Sequence, residues 1–306
     1  MDYAVITKDL TRRFGDFTAV DRINLTIPTG QVCGFLGPNG AGKTTAMRML
    51  CGILEPTSGS GKVLGFDIDS EADLLKHHIG YMSQKFSLYH DLTVQENLDF
   101  YAGLYGLVGS KKRRRIEEMI ALADLAGREN QLAGTLSLGF MQRLALGCAL
   151  ISHPRLVFLD EPTSGVSPTS RRAFFNIIQD LAAQGTTVIV TTHFMEEAER
   201  CHQIAFFSQG KLLALASPDD LKQTSLQGIL LELPLADPLR HMDDLLDLPY
   251  VKECAIHGST LHVLVKDQAG ADQLTAFTKV QPKIITPTLD DVFIALAKSQ
   301  ESEAER

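Results

Sequence analysis

The residues best placed to do chemistry are Gly37-Pro38-Asn39-Gly40-Ala41-Gly42-Lys43-Thr44, which fit G-x-x-x-x-G-K-[ST] at every position. They follow the apolar run 31–36, which reads as a buried strand. They precede 45–51, which reads as the opening of a helix from Thr45 onward. Glycines let successive backbone N–H groups turn inward around phosphate oxygens, an approach that side chains would block. Lys43 can reach the β- and γ-phosphates, and the Thr44 hydroxyl suits a Mg²⁺ ligand. The new helix points its positive end at the anion. A glycine-rich turn without a ligand needs none of this, so the segment reads as a grip for a nucleoside triphosphate.

A second group lies downstream, where hydrolysis of a phosphoanhydride would need it. The apolar run 156–159 reads as a short strand ending in Asp160-Glu161. Ligands of open parallel sheets sit beyond the carboxyl ends of the strands. There Asp160 would bind Mg²⁺, directly or through water, and Glu161 would polarise the attacking water. A solvated turn before Pro162 is the bland reading, and an apolar strand in a chain with a phosphate loop disfavours it. A third strand, 187–190, leads to Thr191-Thr192-His193. A lone histidine is usually structural, but at a third strand's end it can face the γ-phosphate.

The elements that must position these residues follow from the hydrophobic pattern. Residues 1–84 read as strands plus the phosphate loop, with a turn at Ser58-Gly59-Ser60-Gly61 between strands. Residues 86–135 are helical in pattern, including 94–107 and 113–125, and 136–222 return to strand–helix alternation that completes a parallel sheet. The tail reads as strand 228–233, helix 237–246, a hairpin of 251–256 and 261–265 around His257-Gly258-Ser259, helix 269–278, extended 283–286 and helix 289–298. That order, β-α-β-β-α-β with a closing helix, suggests a small α+β sandwich of ferredoxin-like type. Asp290 and Asp291, near a helix start, are explained by capping and dipole effects. The expected domains are therefore 1–224 and 225–306, within the bound of about two domains that 306 residues set.

Composition excludes several classes. A net charge of −8 argues against a dedicated nucleic-acid binder, which needs a basic face. Five scattered cysteines lack C-x-x-C spacing, so neither metal ligation nor a disulfide framework is expected. Residues 1–10 carry charges and lack a long apolar stretch, so no signal peptide is read there, and no segment approaches the ~20 apolar residues that span a bilayer. A cytoplasmic chain with reduced thiols is the expectation. The run Lys111-Lys112-Arg113-Arg114-Arg115 reads first as a solvated helix start, with anionic lipid headgroups as a second reading. No internal repeat is visible, so one nucleotide-binding half is expected.

Taken in order, Arg13-Phe14-Gly15-Asp16, 37–44, Tyr81-Met82-Ser83-Gln84, Leu136-Ser137-Leu138-Gly139-Phe140, 158–164 and Thr192-His193 resemble the ABC-type ATPases. These are the nucleotide-binding subunits of ATP-driven transporters, and the resemblance covers residues 3–222. It implies an α/β fold: a P-loop ABC ATPase domain with a parallel-sheet core and a helical subdomain, 86–135, that touches membrane-spanning partner subunits. It implies ATP and Mg²⁺ as ligands, with Phe14 stacking on adenine, Gln84 joining Thr44 and Asp160 around Mg²⁺, and His193 on the γ-phosphate. Ser137 and Gly139 of one chain would cap the γ-phosphate held by a second copy. Residues 287–293 resemble the closing segment of the drug-type exporter branch. That implies a cytoplasmic exporter subunit, peripheral on the inner face of the membrane through its partners.

Two departures bear on turnover. The family's Leu-Ser-Gly-Gly-Gln has Leu138 and Phe140 for its first glycine and its glutamine, and Ser167 stands where an aspartate is usual. A Cβ at Leu138 restricts φ and adds bulk at a crowded interface. A different class of function, an ATP-dependent dimerising module with little hydrolysis, is the alternative these changes raise. Lys43, Asp160, Glu161 and His193 weigh against it.

Overall fold

A strand apolar on both faces must be covered on both, and three short stretches of this chain meet that condition: 32–36, 156–160 and 187–192 are buried at every residue. The computed structural model describes residues 2–304 except 86 and 236; residue 86, the expected start of the helical subdomain, and the chain limits 1 and 306 lie outside the described residues. The chain divides into two compact units, Met1–Leu215 and Ala216–Arg306.

The first unit opens with β1 (Tyr3–Phe14), β2 (Phe17–Ile23), β3 (Thr26–Pro28), β4 (Val32–Leu36), α1 (Lys43–Leu50), β5 (Ser58–Val63), β6 (Phe66–Asp67), α2 (Ala72–Lys76) and β7 (Ile79–Met82). It continues through α3 (Val94–Leu104), α4 (Gly109–Leu122), α5 (Leu138–Leu150), β8 (Leu156–Asp160), α6 (Pro168–Ala183), β9 (Thr187–Thr192), α7 (Met195–Ala198), β10 (Gln203–Ser208) and β11 (Lys211–Ala216). Six strands form one sheet in the order β11-β10-β4-β9-β8-β7, in which β10, β4, β9, β8 and β7 run parallel. The phosphate loop leaves the end of β4, Asp160 ends β8 and Thr192 ends β9, so adjacent parallel strands deliver all three to the same edge. An antiparallel sheet, β2-β1-β5-β6 with β3 beside β1, covers the core from the other side.

Ser58-Gly59-Ser60-Gly61, expected as a turn, lie in β5 and pair with β1. The glycine serves close approach here: a Cβ on Gly59 would stand 2.2 Å from the Asp9 carbonyl oxygen. The helical stretches 94–107 and 113–125 appear as α3 and α4, each ending about three residues early or starting early. α3 begins at a capping box, with Thr93 Oγ1 accepting from Glu96 N at 3.1 Å and Glu96 Oε2 accepting from Thr93 N at 2.7 Å.

The basic run is only partly a solvated helix start. Arg113 and Arg114 are exposed and face Glu117 and Glu118 one turn on. Lys112 Nζ pairs with Asp99 of α3 at 2.7 Å. Arg115, with a side chain only 12% exposed, donates from Nε to the Ile151 carbonyl at 3.0 Å and from a guanidinium nitrogen to the Leu150 carbonyl. These are the open carbonyls at the end of α5, so Arg115 ties α4 to α5 by satisfying groups the helix cannot satisfy itself.

The second unit runs α8 (Pro218–Thr224), β12 (Ile229–Leu233), α9 (Pro238–Leu246), β13 (Val251–His257), β14 (Thr260–Val265), α10 (Gln268–Thr278), β15 (Lys283–Ile284) and α11 (Leu289–Ala304). Its sheet has the antiparallel order β13-β14-β12-β15. Leu231, Leu233, Leu261, Val263, Val265 and Leu274 form its core. Asp291 does cap the start of α11, accepting from Thr288 N and Oγ1 at 2.8 and 2.7 Å. Its other oxygen lies 2.8 Å from His262 Nδ1, and the His262 ring stacks on His257 with centroids 4.0 Å apart. The carboxylate thus also pins the hairpin to the helix.

The two halves of the basic run separate in a stability measurement. Arg115→Ala removes two charge-assisted hydrogen bonds to the end of α5 and a third to Glu118, and is expected to cost about 1.5–3 kcal/mol in urea unfolding. Changing Arg113 and Arg114 to Gln is expected to stay within about 0.5 kcal/mol.

Candidate functional site

The loop between β4 and α1 is built so that two of its glycines cannot be anything else. Gly42 has φ 99°, and a Cβ there would lie 2.5 Å from the Ala19 carbonyl oxygen. At Gly37 a Cβ would lie 2.2 Å from the Phe207 carbonyl oxygen. Both collisions are with backbone, which does not give way, so the loop packs tightly against neighbouring strands and leaves its other side open. Lys43 is buried and folds back over the loop, donating from Nζ to the carbonyls of Gly37 at 2.7 Å and Pro38 at 2.9 Å. Burial pulls its ammonium below the usual lysine range, while the charges of Glu161 and Asp160 hold it up.

Beyond the loop opens a cavity of about 400 Å³, within the range of small-molecule sites. Phe14, Asn39, Gly40, Ala41, Gly42, Lys43, Thr44, Thr45, Gln84 and Glu161 all line it, from among the residues singled out in the sequence. Phe17 and Ala19 line it too. Phe14 and Phe17, at the ends of β1 and β2, are 47% and 65% exposed. Large aromatic rings held in solvent at a cavity mouth are unusual for structural residues and suit the face of a base. The Arg12 guanidinium lies 4.7 Å from the centre of the Phe14 ring.

Beneath the loop sits Asp160, almost fully buried. Its Oδ1 accepts from Thr44 Oγ1 at 2.9 Å and from Thr191 Oγ1 at 2.8 Å. Its Oδ2 is buried without a hydrogen-bond partner among the described residues. An anionic oxygen left dry beside a threonine hydroxyl is costly unless a cation completes it, and this hard-oxygen set fits Mg²⁺. Glu161 follows with φ 47°, a left-handed conformation that non-glycine residues seldom adopt. That turn separates the two carboxylates: Asp160 points into the core while Glu161 lines the cavity. Thr191 Oγ1 accepts from Glu161 N at 2.8 Å and so fixes the turn. Gln84 Nε2 donates to Glu161 Oε2 at 3.0 Å, so its amide meets Glu161 and not the Thr44–Asp160 pair.

Three expected residues stand apart from this cavity. His193 is exposed just beyond β9, its ring 4.1 Å from that of Phe194, and it does not line the cavity. Ser137 and Gly139 lie at the start of α5, also outside it, and Ser137 makes no side-chain capping bond. A Cβ on Gly139 would meet nothing closer than Ser170 Oγ at 3.5 Å, so packing within the chain does not require this glycine. Leu138 is the first residue of α5 and needs no left-handed φ, so the expected backbone restriction does not arise. Phe140 is held by the guanidinium groups of Arg128 at 4.1 Å and Arg143 at 5.5 Å. Ser167 caps α6, its Oγ accepting from Ser170 N at 3.3 Å; it keeps the cap an aspartate would supply and drops the charge.

Sequence reading missed Phe17, Thr191 and Glu197. Phe17 was legible as an aromatic three residues after Phe14 across a Gly-Asp turn. Thr191 and Glu197 carried no signal, because Asp160 and Thr163 lie more than 30 residues away and Thr192 lies in β9, across the turn that leads into α7. All five cysteines are buried and unpaired. Among the described residues no helix is long and apolar enough to cross a membrane.

Comparison with known proteins agrees with this geometry. Residues 20–164 match the ABC transporter family model. The chain is 49% identical over 218 residues to the probable multidrug ABC transporter ATP-binding protein YbhF of Escherichia coli, a match that covers 71% of this chain and 38% of that protein. It thus spans little more than a third of the length of that relative. With the Nod factor export ATP-binding protein I of Burkholderia thailandensis it shares 34% identity over 261 residues, 85% of each chain. Among solved structures, cbiO1 from Clostridium perfringens, part of the ABC transporter complex cbiONQ, superposes with a TM-score of 0.68 at 25% identity, over 73% of this chain and 92% of that one. The dimeric ATP-binding cassette MJ0796 bound to ADP and Pi gives 0.64 at 26% identity, over 70% of this chain and 98% of that one. With the loop, the buried carboxylate and these likenesses in agreement, the chain belongs to the ABC transporter family, as an ATP-binding cassette.

Proposed function

We propose that this chain is the ATP-hydrolysing subunit of an exporter, working as a pair of copies that enclose two ATP molecules. The observation that carries this reading is the Thr44–Asp160–Thr191 set, with one dry carboxylate oxygen beneath an open phosphate loop. The loop amides and Lys43 hold the phosphates, and Phe14 and Phe17 hold the base. Thr44 and Asp160 would hold Mg²⁺, which would supply positive charge to the phosphates.

Glu161 acts on the water. Gln84 engages Oε2, which leaves Oε1 to accept from the attacking water and align it. Gln84 also stands where the chain enters the helical block, so its contact with Glu161 links the reaction to whatever that block touches. Ser137 and Gly139, being remote from their own chain's cavity, serve the second copy's γ-phosphate, where the start of α5 favours an anion. His193 reaches the same phosphate once the copies close. Membrane-spanning subunits are the partners moved by that closure, which places the chain on the cytoplasmic face of a membrane. The names of the relatives support export, and the cargo is a matter for those partners.

Glu161→Gln tests the core of this. ATP hydrolysis is expected to fall about 100-fold or more while ATP affinity holds; turnover near the parent rate would remove Glu161 from the role. Negligible phosphate release by the parent protein would instead favour an ATP-gated dimerising module. Phe14 and Phe17 are tested by binding. Alanine at either is expected to weaken ATP about ten-fold, since one stacked base contact is worth about 1–3 kcal/mol. Equal affinity in the Phe17 variant would return that residue to the surface.

A further inference from the structure

One buried carboxylate has no part in the reaction described so far. Glu197, in α7, is 2% exposed, and its two oxygens are divided between two loops of the site. Oε1 accepts from Thr163 Oγ1 at 2.5 Å, and Thr163 lies two residues beyond Glu161. Oε2 accepts from Thr192 Oγ1 at 2.5 Å, and Thr192 immediately precedes His193. Both threonines are as deeply buried as the carboxylate. Thr192 Oγ1 in turn accepts from Phe194 N at 3.0 Å, so the backbone on either side of His193 is held by this one hydroxyl.

A third element joins from α6. Arg171 Nε lies 3.4 Å from Glu197 Oε1, an ion pair without hydrogen-bond alignment. The same guanidinium lies 3.4 Å from the centre of the Phe194 ring, and the His193 ring lies 4.1 Å from it. Phe194 therefore contacts both Arg171 and His193, and Arg171 is paired with Glu197. α6 is the helix that Ser167 caps, so the segment between Glu161 and Ser167 is gripped at both ends.

We propose that Glu197 is a positioning residue for ATP hydrolysis, which locks the loop carrying His193 to the loop carrying Glu161 so that both meet the same γ-phosphate. This rests on the roles given to Glu161 and His193 above and adds the part that sets their spacing. A carboxylate suits the task because it accepts from two hydroxyls at once, at a fixed separation. Burying it is expensive: burial pushes the Glu197 carboxyl up, against the pull of the Thr163 and Thr192 hydroxyls and the Arg171 and His193 charges. A leucine there would cost the fold nothing of that kind. The group touches neither the cavity nor its lining, so its effect must pass through the two loops.

The test is a kinetic double-mutant cycle on the full chain between Glu197→Gln and His193→Ala, with ATP affinity and thermal unfolding measured alongside. Glu197→Gln keeps the volume and replaces one acceptor by a donor. In the parent background kcat is expected to fall about ten-fold, with KM for ATP changed less than about three-fold, because the phosphate loop is untouched. In the His193→Ala background the same change is expected to cost less than about three-fold, since one of the two groups whose spacing it sets is gone. Thr192→Val, which deletes one of the two hydroxyl contacts, is expected to lose an intermediate amount and guards against a variant that fails to fold.

Losses that simply multiply, or a Glu197→Gln protein with parent kcat, overturn the inference. Loss of stability with equal falls in affinity and turnover would make Glu197 a structural brace only, and overturns it too. A parent protein without ATPase activity, or a His193→Ala variant with full turnover, is a distinct result: it defeats the proposed function first and leaves Glu197 nothing to position.

Discussion

Asp160 puts a carboxyl group where there is almost no water, and much of the first unit is arranged around that demand. A buried carboxylate is tolerated only when its oxygens are spoken for. Here Thr44 and Thr191 supply hydroxyls to one oxygen, from two different neighbouring elements. Neither can do so unless β4, β8 and β9 run parallel, side by side and in register, so that their ends coincide. The second oxygen has no hydrogen-bond partner among the described residues, and Thr44, which bonds the first, directly follows the phosphate loop's Lys43. The order of the sheet is thus tied to the chemistry of a single side chain.

The glycines of the loop follow from the same geometry. A phosphate site needs backbone close to the ligand on one side, and the fold puts backbone close on the other. Gly37 and Gly42 sit against the carbonyls of Phe207 and Ala19 with no room for a Cβ. The loop is therefore held by its surroundings before any ligand arrives, the condition under which dipoles act without reorganising. Glu161 carries the matching strain in its left-handed backbone, which turns one of two adjacent carboxylates outward and leaves the other beneath the loop.

Ser137 and Gly139 do not line the cavity of their own chain, which is why the proposed function gives them to a second copy. Ser137 and Gly139 lie at the start of a helix whose first turn bonds to nothing in its own cavity. The departures from the family pattern turn out to be mild within the chain. Leu138 adopts a helical backbone, Phe140 is held between two arginines, and Ser167 keeps the helix cap. What they alter is the surface, and a surface acts only against a partner.

Sequence by itself determined the phosphate loop, the strand ending in Asp160-Glu161 and the parallel α/β class. Each rests on local rules: glycines at fixed offsets, apolar runs, and the stop that a carboxylate pair puts on a strand. It also gave the order of elements in the second unit, because those elements are short and their turns are marked. Tertiary structure decided what depends on distant neighbours. Ser58 to Gly61 read as a turn because glycine and serine usually make one, and only the approach of β1 makes them a strand. Arg115 read as one of five solvated charges, and only the end of α5 makes it a tie. The division of Glu197 between Thr163 and Thr192 lay beyond any spacing rule, because a buried hydrogen bond is set by where the chain returns and not by how far along it lies.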